Sequence, residues 1–122
     1  MDDRVERILM KVRDLTEQKR LIWELLDDPD GPFRVTLKAQ SAGGIIILQG
    51  YFIQGESDSY VLELQDTKGS TIERLAPESS SLALVLEELY DLALARATGK
   101  DEKLDKLIEG LEKLEGPRQG GF

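Results

Sequence analysis

Residues 33–76 read FRVTLKAQSAGGIIILQGYFIQGESDSYVLELQDTKGSTIERLA, and the period of this stretch decides the fold. Phe33, Val35 and Leu37 alternate with Arg34, Thr36 and Lys38, the pattern of a half-buried strand. Ser41-Ala42-Gly43-Gly44 supplies a turn. Residues 45–54 then carry apolar side chains on both faces: Ile45, Ile47, Tyr51 and Ile53 on one, Ile46, Leu48 and Phe52 on the other. That predicts a central strand covered on both sides. Gly50 within it marks a bulge or a close approach of another group. After Gly55-Glu56-Ser57-Asp58, Tyr60, Leu62 and Leu64 alternate with Val61, Glu63 and Gln65 in a third strand. Asp66-Thr67-Lys68-Gly69 turns again into a short fourth strand at 71–75. Short turns between successive strands imply an antiparallel meander.

The period changes on either side. Val5, Ile8, Val12, Leu15, Lys19 and Ile22 recur at three- and four-residue steps, which predicts one long amphipathic helix over residues 3–28 with a heptad-like seam. Asp27-Asp28-Pro29-Asp30-Gly31-Pro32 would end it. Beyond the strands, Pro77-Glu78-Ser79-Ser80-Ser81 opens a second helix with a serine cap. Leu82, Val85, Leu86, Leu89, Leu92 and Ala93 give it the most buried stripe of the chain. Gly99 stops it. A third helix spans roughly 101–115, with Leu104, Leu107, Leu111 and Leu114 at heptad spacing, Ile108 beside them, and a charged opposite face. The expected organisation is a single α+β domain over residues 1–115: a long N-terminal helix, a four-stranded antiparallel meander sheet and two C-terminal helices. Residues 116–122 would form a flexible tail.

Composition narrows the function. The 122 residues carry a net charge of −8, 40% apolar and 33% charged residues, and neither cysteine nor histidine. Thiol chemistry, disulfides, histidine bases and histidine or thiolate metal sites are therefore excluded. No apolar run approaches the roughly 20 residues needed to span a bilayer. The charged start, Met1-Asp2-Asp3-Arg4, is not that of a signal peptide. A cytoplasmic protein with no membrane association is expected.

Candidate sites are few. Asp28-Pro29-Asp30-Gly31 has the core of a calcium loop, but Leu26 and Leu37 stand where the first and last acidic ligands belong. Gly99-Lys100 is followed by Asp101, not by the hydroxyl residue of a phosphate loop. The serines at 79–81 have no histidine to activate them. The acidic clusters on the last two helices lie among lysines, as solvated faces do. No enzyme activity, metal or cofactor is expected.

Two binding readings remain. The helix seams, Val5, Ile8, Val12, Leu15, Lys19 and Ile22 on the first helix and Leu104, Leu107, Leu111 and Leu114 on the last, exceed what one small sheet can cover. That points to a protein-interaction module, an oligomeric adaptor, assembly factor or regulator. It would bind itself as a homodimer or higher oligomer, or another protein, with an acidic surface steering it to basic partners. The alternative is single-stranded nucleic acid. Arg34, Lys38 and Arg74 fall on one sheet face with Tyr51, and such binders join a basic groove to aromatic platforms. Four antiparallel strands followed by a helix, over roughly residues 33–98, also resemble in topology the Whirly and Pur-alpha families, a likeness that implies single-strand binding but carries no motif. Residues 33–76 hold four basic side chains against five acidic ones, and the net charge of the chain disfavours this partner.

Overall fold

The computed structural model describes residues 3–26, 34–52, 54–76 and 80–116. A helix over Asp3–Glu17 (α1) leads into five strands, Trp23–Leu26 (β1), Arg34–Ser41 (β2), Gly44–Tyr51 (β3), Ser59–Gln65 (β4) and Thr71–Leu75 (β5). Two helices follow, Ser80–Thr98 (α2) and Lys100–Glu115 (α3). The strands form one antiparallel sheet in chain order, so the α+β meander is present with five strands rather than four. Residues 77–79 of the stretch expected to open the second helix, the Asp27–Pro32 breaker and residues 117–122 lie outside the described residues. Among the described residues no helix is long and apolar enough to cross a membrane.

The additional strand comes from the first helix, which ends at Glu17 and not at residue 28. Its exit is a Schellman turn. The Arg20 amide donates to the Leu15 carbonyl at 2.9 Å and the Lys19 amide to the Thr16 carbonyl at 3.1 Å. Lys19 sits between them in the left-handed region, φ 61°, where a glycine is usual. From Leu21 the burial period becomes two: Leu21 and Trp23 point inward, Ile22 and Glu24 outward. Trp23 pairs with Ala39, and Leu25 with Leu37.

The register explains the core. Leu25, Leu37, Leu48, Leu62 and Leu75 line up across all five strands. The three central leucines of that row are fully buried. Helix α2 lies over it through Leu86, Leu89, Tyr90 and Ala93, and α1 adds Val5, Leu9 and Val12 to the same cluster. Each buried leucine contributes about 1.5–3 kcal/mol. In the neighbouring row Gly50 falls between Val35 and Tyr60. The pairing of β3 runs through Gly50 without a bulge. The residue is there for space: a Cβ would stand 2.7 Å from the Phe52 ring and 2.9 Å from the Tyr90 ring.

The second face of β3, with Ile45, Ile47, Gln49 and Tyr51, is covered by no described helix, contrary to the expectation of cover on both sides. A two-layer fold results, with its helices on one side only.

Candidate interaction surfaces

Helix α3 has no buried residue. Leu104, Leu107, Ile108 and Leu111 are each about half exposed, and Leu114 is 84% exposed. These positions recur every three or four residues, so they form one apolar stripe along the helix. Asp101 and Glu102 in its first turn complement the helix dipole. Glu102–Lys106 and Glu109–Lys113 have the i,i+4 spacing that supports an exposed helix. Gly110 interrupts the helix interior, and a Cβ there would meet nothing within 4 Å.

The helix is anchored at one end. A single residue, Gly99 at φ 66°, separates it from α2. Just before it, the guanidinium of Arg96 is largely buried. Arg96 Nε donates to the Thr16 carbonyl at 3.0 Å and Nη2 to the Glu17 carbonyl at 3.1 Å, satisfying the open carbonyls at the C-terminus of α1. Its Nη1 donates to Asp101 Oδ2 at 2.5 Å. Lys19 Nζ reaches Glu102 Oε1 at 3.5 Å, and a backbone hydrogen bond, followed by the charge of Lys19, holds the Glu102 carboxyl below its ordinary pKa. One arginine thus ties the ends of α1 and α2 to the start of α3. No local sequence signal marks it, because its partners on α1 stand some eighty positions away.

The predicted seam on α1 divides. Val5 and Val12 are buried with Leu9 and Thr16, so the inward stripe is 5, 9, 12 and 16. Ile8 and Leu15 lie at its margin, 39% and 37% exposed. Lys19 and Ile22 are not on the helix at all: the first is in the exit turn and the second on the approach to β1, 77% exposed. Sequence reading missed Thr16, which is fully buried. Its hydroxyl donates to the Val12 carbonyl at 2.6 Å and accepts from the Trp23 indole N–H at 2.8 Å.

The sheet face away from the helices does gather Arg34, Lys38, Arg74 and Tyr51. Arg34 stands opposite Tyr51, and Lys38, Ile47, Glu63 and Arg74 form one row. Two of the three basic residues face an acid in register, Glu24 opposite Lys38 and Glu63 opposite Arg74. The Tyr51 hydroxyl donates to Gln49 Oε1 at 2.9 Å. At the other end of the molecule, a mainly apolar cleft of about 470 Å³ opens between the start of α1 and the sheet, lined by Val5, Ile8, Ile46, Leu64 and Ile72, with Arg4 and Glu73 also on its walls. No protein-family model matches the chain, and no curated protein or solved structure is significantly similar to it.

Proposed function

We propose that this chain is a non-enzymatic protein-interaction module that works through the apolar stripe of α3. The supporting observation is that no residue of that helix is buried. A 16-residue helix with no tertiary burial is marginal in water, because helices in proteins owe most of their stability to packing an apolar face. Leu104, Leu107, Ile108 and Leu111 form such a face, and none of them belongs to the core cluster or packs against it among the described residues. The body does not need α3 to close its core, since among the described residues all buried apolar ones lie on α1, α2, the sheet and the Leu21 turn. The net charge of −8 favours partners of basic surface.

Affinity capture of the tagged chain from its native lysate, with and without nuclease, tests this reading. The wild type is compared with the double variant Leu107→Asp/Leu111→Asp, both positions being more than half exposed and so harmless to the core. A stoichiometric protein, this chain itself included, should survive nuclease and be lost with the double variant. Equal recovery by the variant would remove α3 from the account. Recovery that vanishes with nuclease would put the single-strand reading in its place.

A further inference from the structure

We infer that what covers α3 is the α3 of a second copy, packed antiparallel across a two-fold axis. The inference rests on the reading of α3 as the binding element and names its occupant.

The first ground is charge. Around the base of α3, Lys19, Arg96, Lys100 and Lys103 stand against Glu17, Asp101 and Glu102, a net of +1. Toward its tip, Glu109, Glu112 and Glu115 stand against Lys113, a net of −2. Asp105 and Lys106 cancel between them. The helix dipole adds to the same asymmetry, positive at the base and negative at the tip. Two parallel copies would set base on base and tip on tip, which repels twice. Antiparallel copies set each acidic tip on the other's basic base, which attracts twice. The contact is isologous, so it closes as a dimer and does not propagate.

The second ground is the spacing of the stripe. Pairing Leu104 with the partner's Leu114 and Leu107 with the partner's Leu111 leaves no leucine unmatched and places the axis beside residue 109. Ile108 then meets its own copy on one side of the axis. At 3.6 residues per turn Gly110 lies on the flank of the helix, about 95° from the middle of the stripe, and takes no part in the seam.

Area is the third. Covering the five apolar residues of both stripes removes on the order of 1,000 Å² from water, the lower limit of a specific interface. An interface at that limit is the size of a transient contact, so the dimer exchanges with free chains.

The chain has no cysteine, which makes the orientation directly readable. Leu104→Cys and Leu114→Cys are prepared separately and oxidised alone and mixed, while sedimentation equilibrium gives the mass of the wild type and of Leu107→Asp/Leu111→Asp. The expected result is a wild-type mass approaching twice 13.7 kDa at tens of micromolar. The double variant should have the mass of one chain and an unchanged melt, and a disulfide dimer should form in the mixture many-fold faster than in either variant alone. A disulfide dimer of Leu104→Cys by itself would mean parallel packing and overturn the proposal. So would a dimer that survives Leu107→Asp/Leu111→Asp, which places the contact elsewhere, or a wild type of one-chain mass throughout. In that last case, capture of another protein that still depends on Leu107 and Leu111 would leave the interaction reading standing without the second copy.

Discussion

Thr16 does more for this fold than its residue type suggests. A threonine among Val12, Leu15 and Trp23 would be an uncompensated polar atom in the core, but its one hydroxyl serves two neighbours, donating to a carbonyl of its own helix and accepting the indole N–H of β1. The pair fixes how the strand leaves the helix. Thr16→Val keeps the shape and removes the acceptor, so the buried Trp23 N–H loses its partner. The expected cost is about 1–3 kcal/mol, read as a fall in the denaturant midpoint with an unchanged slope. A midpoint at the wild-type value would show that the indole finds another acceptor. The same region shows why the first boundary was not legible. Leu15, Ile22 and Leu26 keep a helical spacing in the sequence, and the turn that breaks it uses Lys19 in a left-handed conformation that normally announces itself as glycine. The side-chain signal of β1, alternation from Leu21 to Glu24, is only four residues long and overlaps that helical series.

Among the elements, α2 and the central strands were the most legible, because the leucine rows and the alternation of β2 and β3 encode burial directly. What the sequence did not reveal was the fit between them. Gly50 was readable as an anomaly. Its reason, the space taken by Tyr90 and Phe52, exists only once α2 lies over β3 and β4. In that packing the rings of Tyr60 and Tyr90 stand 5.0 Å apart and those of Phe52 and Tyr90 5.6 Å apart. Burial, then Tyr60, then Asp91 push the Tyr90 hydroxyl up to about 12 from 10.0; burial, followed by Glu87, Asp58 and Asp91, raises that of Tyr60 as well. The folded state therefore holds these protons after the unfolded chain has released them. The contribution of Tyr90 is complete below about pH 10 and is lost as pH rises through about 12, and Tyr60 acts in the same direction. Chemical denaturation across that window should show stability falling steeply, and Tyr90→Phe should flatten the fall. A profile unaffected by Tyr90→Phe would place the alkaline sensitivity elsewhere.

For the whole molecule, the decisive contrast is between a body with a closed core and a helix with none. The seam on α3 was legible because heptad spacing is local. Which of the two predicted seams would be covered was not, because that depended on α1 stopping at Glu17 and turning Val5, Leu9, Val12 and Thr16 inward. With α1 committed to the core, the unmatched apolar surface concentrates on α3, which among the described residues is held at its base by the Arg96 and Lys19 links.

Amide hydrogen exchange of residues 104–114, followed from nanomolar to tens of micromolar chain, tests this contrast most directly. The account predicts fast exchange at high dilution, as for a marginal isolated helix, and protection that rises about ten-fold or more with concentration while α2 and the sheet stay constant. Strong protection of α3 that does not change with concentration would mean that its stripe is covered by its own body, and would contradict the account.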